Sequence, residues 1–221
     1  MSTFVVAGNA TRSHPAERGT VHVSISFTSA DRTTARSRAI ETHNAVVSEA
    51  KEHQLSGAAT WWNSDRVVVD TLREFVKNSD TTISTVVSYR SRSSIDVRFS
   101  DFTALAEWVG SLGDYEGVGI DGIDWALTVA LRAELDREVR IAAVQDAITK
   151  AGDYAAALGM AGPSLEAVYE EGLRPGLSES GGRWQVQSAR IVRAVDYEGG
   201  SFELKPSDID VIASISADFT M

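Results

Sequence analysis

Residues 124–159 run without a break from a half-apolar strand into an alanine-rich helix that stops at a glycine, DWALTVALRAELDREVRIAAVQDAITKAGDYAAALG. The stretch 131–158 reads as one helix of about 40 Å at the usual rise per residue. Gly159 fits the left-handed position just past its end, and Pro163 bars any continuation. Residues 117–129, ahead of it, read as a strand. A long helix fed directly by a strand restricts the chain to mixed α and β folds.

The remaining periodicity fills in that class. Residues 4–11 and 20–29 alternate apolar with polar; Val21, Val23, Ile25 and Phe27 face one way, His22, Ser24, Ser26 and Thr28 the other. That is the period of a strand with one wet face, which makes His22 a surface strand residue. Residues 31–54 contain no Gly or Pro and carry Ala35, Ala39, Ile40, Val46, Val47 and Ala50 on one helical face, with Asp31 suited to the start and Gly57 just past the end. Residues 59–75 and 81–99 are rich in Val, Thr, Ile, Trp and Tyr, and Lys77, Asn78, Ser79 and Asp80 form a polar turn between them, so a hairpin of two long strands is expected.

Asp101 is placed to cap a short helix through Leu112, with Phe102, Leu105, Ala106 and Val109 inward. A strand begins at 167–169, residues 172–182 (GLRPGLSESGG) form an excursion with turn chemistry, and the last strands are 184–195 and 209–219. In the final strand Val211, Ala213, Ile215 and Ala217 oppose Ile209, Ile212 and Ser216, which leaves its buried face open. The order is ββα ββα βα βββ. Hairpins dominate, so the expectation is an α+β protein: mostly antiparallel sheets with one long alanine-rich helix and two shorter helices packed on them. Residues 1–221 read as a single domain, with two intimately packed α/β halves divided near 110–116 as the other organisation.

Composition narrows the chemistry. There is no cysteine, which removes disulfides, thiolate metal sites and cysteine nucleophiles, and the four histidines all lie in the first quarter, at His14, His22, His43 and His53. The net charge of −10 is uneven: residues 1–110 hold 12 basic and 12 acidic residues, residues 111–221 hold 9 and 19. An acidic surface disfavours nucleic acid and anionic membranes. The one basic cluster, Arg32, Arg36 and Arg38, is short and followed by Glu41, as on a solvated helix face. The start, MSTFVVAGNATRS, has neither the charged beginning nor the apolar length of a signal peptide, and no run approaches the ~18 apolar residues of a membrane helix. A cytoplasmic location without membrane insertion is expected.

No reactive motif survives its context. Gly117, Gly119 and Gly122 spell G-x-G-x-x-G, but a dinucleotide site needs a strand before it and a helix after it, and here a helix precedes and a strand follows. Asp114, Glu116, Asp121 and Asp124 lack the ligand order of a calcium loop and read as solvated carboxylates, with a weak divalent site as the sharper alternative. His43 and His53 lie ten residues apart on one helix and do not converge. The GPSLE run at 162–166 lacks the second glycine of a nucleophile elbow. Trp61 and Trp62 are adjacent, so on a strand they face opposite ways and one needs a cover, either another part of the fold or a partner subunit.

The strand VVAGNATRS, the helix ADRTTARSRAIETHNAVV, the segment SIDVRFSDFTALAEWVGSLG, the strand GIDGIDWALT and the helix REVRIAAVQDAITKAGDYAAALG, taken in order and followed by an alternating strand, resemble the SIMPL-domain family, from about Phe4 to Phe219. The resemblance implies an α+β protein without known cofactor or established catalytic residues that tends to self-assemble. Bacterial relatives are commonly exported to the periplasm or envelope, and some are linked to protection from oxidative stress. An animal branch is named for association with a Pelle-like kinase.

The expectation is therefore a non-enzymatic, self-assembling interaction protein, a homo-oligomer with a role in stress tolerance, with no cofactor, no catalytic residue, no metal ligand, and Trp61 and Trp62 as interface candidates. A protein-binding adaptor is the alternative. A hydrolase built on the carboxylates of residues 114–124 is the third reading.

Overall fold

A computed structural model describes residues 3–77, 83–174 and 205–220. The described chain is α+β, and its strands form antiparallel sheets belonging to two compact units that interleave in sequence. Among the described residues the chain passes between the units after Ala16, after Ala126 and after Pro206. Residues 110–116 lie inside one unit, where they close a helix and turn into a strand.

The first unit holds β1 (Thr3–His14), the long helix, and the last strands. The second unit begins with β2 (Arg18–Ser29), whose partners are strands further along the chain and not β1. Then come α1 (Arg32–Ser56), β3 (Ala59–Ser64), β4 (Val68–Lys77), β5 (Ile83–Phe99), α2 (Phe102–Leu112) and β6 (Val118–Ala126). Local chemistry sets these ends as the sequence indicates. The Asp31 carboxylate accepts the Thr34 amide, Gly57 closes α1 at φ +84°, and the Asp101 carboxylate accepts the amides of Thr103 and Ala104.

In this unit the strand order is β3-β5-β2-β6, with β4 also on β5. Val21, Val23, Ile25 and Phe27 are buried with Ile95, Val97 and Phe99, and α1 and α2 cover them with Ala39, Val46, Ala50, Leu105, Trp108 and Leu112. The opposite face carries Thr20, His22, Ser24 and Ser26, as the period of two requires. Ile40 and Val47 are only half-buried, and the inward face of α2 includes Trp108 and Leu112, which the spacing had not selected.

The expected single strand over 59–75 is two strands. Both lie along β5, β3 on residues 95–99 and β4 on residues 83–92, and the chain between them leaves the ladder at Asp65. Asn63, Ser64 and Asp65 are turn residues, and Asp65 bonds β5 with its amide, to the Ser94 carbonyl, and with its carboxylate, to the Ser94 hydroxyl at 2.7 Å. The β4–β5 hairpin is present, with Lys77 opposite Ile83; its turn at 78–82 lies outside the described residues.

The first unit is completed by α3 (Val129–Ala157), β7 (Ser164–Glu170) and β8 (Ile209–Thr220), in the strand order β1-β8-β7. β6 ends earlier and α3 begins earlier than their periodicity suggests, because the Thr128 hydroxyl caps the helix by accepting the Leu131 amide. Gly159 takes φ +65° past the helix end, as expected. β1 and β8 pair over their full length from Thr3↔Thr220 to His14↔Ile209.

The odd-numbered side chains of β8, Val211, Ile215, Ala217 and Phe219, are the buried ones, which resolves the face the sequence left open. Against them α3 lays a row of buried alanines, Ala143, Ala147, Ala151 and Ala155. Small side chains at i, i+4 intervals let the helix backbone come close to the sheet. The contact is tightest at Gly8 of β1, where an added Cβ would stand 2.0 Å from the Ala143 carbonyl oxygen. The expected strand over 184–195 and most of the excursion over 172–182 lie outside the described residues, so the described order is ββα βββα βα ββ.

Candidate functional site

Antiparallel register brings together, on the open face of the second unit's sheet, side chains far apart in sequence. His22 stands opposite Asp96 on β5 and opposite Gly122 on β6, while Thr20 stands opposite Arg98 and Asp124. Gly122 has no side chain there, so the imidazole reaches diagonally to the next β6 residue on the same face. The ring sits between two carboxylates: Nδ1 is 2.7 Å from Asp96 Oδ1, and Nε2 is 3.1 Å from Asp124 Oδ2.

Burial opposes a charge on this ring, yet hydrogen bonds to Asp96 and Asp124 and their negative charges outweigh it and hold the His22 pKa above its ordinary 6.5. A neutral imidazole has one N–H and can donate to one carboxylate only; the imidazolium donates to both. The arrangement is one built for the charged ring. It is poorly suited to base catalysis, because neither nitrogen is left to take a substrate proton. It is equally unsuited to a metal, because the carboxylates meet opposite nitrogens and do not gather around one donor. Among the described residues no group of three His, Asp or Glu side chains is placed to hold an ion.

The neighbours continue a polar surface. Ser24 donates to Asp121 at 2.9 Å, and Arg98 Nε donates to the Thr20 hydroxyl at 3.3 Å while its guanidinium lies 5.2 Å from the Trp61 ring centre. Trp61 and Trp62 do face opposite ways. Trp61 is exposed on this polar face beneath Arg98; Trp62 packs on the helix side, where its indole donates to Gln54 at 2.9 Å and Lys51 lies over its ring.

The acidic segment does not converge. Glu116 pairs with Arg38, Asp121 with Ser24, Asp124 with His22, and Asp114 is exposed. Arg38 also lies over the Phe27 ring, so it is anchored at the helix surface. The glycine triplet leads from α2 into β6; at Gly117 φ is +76° and a Cβ would stand 2.6 Å from the Phe27 ring, so the residue serves a tight turn. Ser164 of the GPSLE run opens β7 opposite Thr220, not a strand-to-helix turn.

The other histidines are held separately. His43 bonds the Ser93 hydroxyl at 3.0 Å beneath α1, and burial pushes its pKa down. His53 packs edgewise on Phe99 and Trp108, and His14 contacts the Pro15 carbonyl. Sequence reasoning missed Asp96 as a partner of His22 and missed Glu49, which accepts from Trp108 Nε1 at 2.9 Å and from the Tyr115 hydroxyl at 2.5 Å. The Glu49 bond, reinforced by burial, raises the Tyr115 pKa. Only the pairing register could have found Asp96, which lies 74 residues from His22.

No helix among the described residues is long and apolar enough to cross a membrane. No curated protein matches the chain. The family model described as SIMPL, Protein of unknown function (DUF541), matches residues 4–219. Spanning nearly the whole chain, that match makes this protein a member of the SIMPL family.

Proposed function

We propose that the chain is a self-assembling interaction protein whose β4–β5 arm docks on a second copy of itself. The observation that carries this reading is an apolar surface on a two-stranded ribbon. β2 pairs with β5 only as far as Tyr89, so residues 83–88 have β4 as their one strand partner among the described residues. By register Phe75 faces Thr85 and has Ile83 and Val87 as diagonal neighbours on the same face. Phe75 is 72% exposed and Ile83 71%, and Val86 and Val87 are also exposed. A two-stranded ribbon is marginal by itself in water, and covering such a patch by association stabilises it.

Charge favours a second copy as the partner. Residues 68–92 hold four basic and three acidic residues, net +1, which leaves −11 for the rest of the chain. Such an arm is drawn to the acidic body of another copy, whereas nucleic acid or an anionic membrane meets a repelling body. A contribution of the assembly to stress tolerance rests on the family resemblance alone.

Light scattering after gel filtration tests the reading. The native protein is expected to run as a multiple of 23.8 kDa, and Phe75→Ser with Ile83→Ser to shift it toward the single-chain mass with an unchanged circular dichroism spectrum. A native protein that stays at the single-chain mass at every concentration overturns the proposal. An oligomer indifferent to both substitutions places the contact elsewhere and overturns the role of the arm. If the native protein stays at the single-chain mass while the arm variants lose a heterologous partner, the adaptor reading replaces it.

A further inference from the structure

We propose that His22 is a protonation-controlled bolt across β5, β2 and β6: as imidazolium it donates to Asp96 and Asp124 together, and on losing its proton it releases Asp124 and loosens β6. The argument begins with donor counting. Two ring nitrogens lie within hydrogen-bond distance of two carboxylates on different strands, and only the doubly protonated ring satisfies both. With one N–H left, the unprotonated nitrogen and the facing carboxylate present lone pairs to each other, and that contact becomes repulsive.

Geometry selects the contact that breaks. Asp96 is the nearer carboxylate, and its side chain is 32% exposed; Asp124 is farther from the ring and 49% exposed, so water replaces histidine there at lower cost. β6 is also the strand prepared to yield. Its pairing with β2 shifts register between His22 and Val23, Gly122 sits in that irregularity at φ +155°, and β6 has β2 as its one strand partner among the described residues.

No other charge on the neighbouring strands substitutes for the bolt. On β5, Arg98 lies on the same face, but its Nε is directed to Thr20 and its guanidinium to Trp61. On β6, the remaining carboxylate, Asp121, is held by Ser24. Along β2 the residues flanking His22 on this face are the uncharged Thr20 and Ser24, and the next one, Arg18, has its guanidinium on the Glu17 carbonyl. The ring charge is therefore balanced by Asp96 and Asp124, and the direction of its titration, upward from 6.5, agrees with that balance.

The test combines the imidazole NMR titration of His22 with amide hydrogen exchange of residues 123–126, followed from pH 6 to 9 and corrected for the intrinsic rate. In the native protein, protection of these amides is expected to fall by on the order of fivefold as His22 loses its proton, the value of one half-exposed charge-assisted hydrogen bond. His22→Gln, neutral throughout, is expected to show the weaker protection at every pH with no step. Asp124→Asn is expected to lower the His22 midpoint and to abolish the step, which keeps the test decisive should His22→Gln fold poorly. A His22 midpoint at or below 6.5 overturns the proposal, and so does a step in protection that persists unchanged in Asp124→Asn.

Discussion

The closest approach of helix to sheet gives the sharpest prediction. In Gly8→Ala the new Cβ would stand 2.0 Å from the Ala143 carbonyl oxygen, 2.9 Å from the Ala147 Cβ and 3.0 Å from the Ala143 carbonyl carbon. A carbon and a carbonyl oxygen rest no closer than about 3.3 Å, so the strand and helix must separate by on the order of 1 Å. The nearest obstacle is backbone, held in the middle of α3, and cannot swing aside as a long side chain would. Separation also uncouples the alanine row beneath Phe219 and Ile215, where each lost contact is small and the number of contacts is large.

Overpacking of this kind costs about 1–3 kcal/mol, sometimes more, and the stiffer unfolded chain returns about 0.4–1 kcal/mol. The net expectation is a loss of about 1–2 kcal/mol, or roughly 2–8 °C in melting temperature for a chain of this size. The same substitution at Gly152 is the control. That residue lies within α3 with nothing inside 4 Å of its Cβ position, so alanine is expected to stabilise by up to about 1 kcal/mol. Urea denaturation followed by circular dichroism measures both. A Gly8→Ala protein as stable as the parent refutes the close-contact reading, and two substitutions shifting in the same direction refute the claim that space, not residue type, decides the sign.

Asp101→Ala removes the acceptor for the Thr103 and Ala104 amides and is expected to cost about 1 kcal/mol in urea denaturation, with Asn restoring most of it. Glu49→Ala strands the indole N–H of the buried Trp108 and the Tyr115 hydroxyl; a loss of about 1–3 kcal/mol is expected, with a changed tryptophan emission spectrum, and unaltered stability and emission refute the role of Glu49 as a latch. In the first unit, Lys150 donates to Asp146 and the Asn9 amide donates to the same carboxylate, which lowers the Asp146 pKa below 3.8. A lowered carboxylate pKa stabilises the fold above 3.8 and ceases to do so as pH falls through the folded value. Melting temperatures of the native protein and Asp146→Asn should therefore differ at pH 7 and converge in acid. For His22, with a raised pKa, the sign is opposite: the stabilising contribution is complete below 6.5 and is lost as pH rises through the folded value. The melting temperatures of native protein and His22→Gln should converge on the alkaline side.

Local chemistry was legible where it acts over a few residues. Asp31, Gly57, Asp101 and Gly159 set helix ends by interactions within four positions of themselves, and each does so in the structure. The wet and dry faces of β2 followed from a period of two. The division of 59–75 did not, although Asn63, Ser64 and Asp65 are turn formers, because the apolar runs on both sides continue the same period. The setting of His22 was half legible: its exposure on a strand face could be read, its partners could not.

The sequence by itself therefore determined the class, the helix ends at Asp31, Gly57, Asp101 and Gly159 and the side of β2 that meets water, since these depend on neighbours along the chain. Tertiary structure decided which strands share a sheet, that Asp96 and Asp124 clasp one imidazole, and that Gly8 lies beneath Ala143. Pairing register and backbone separation join residues 74, 102 and 135 positions apart, and an interaction at that range leaves no periodic trace in either of the segments that make it.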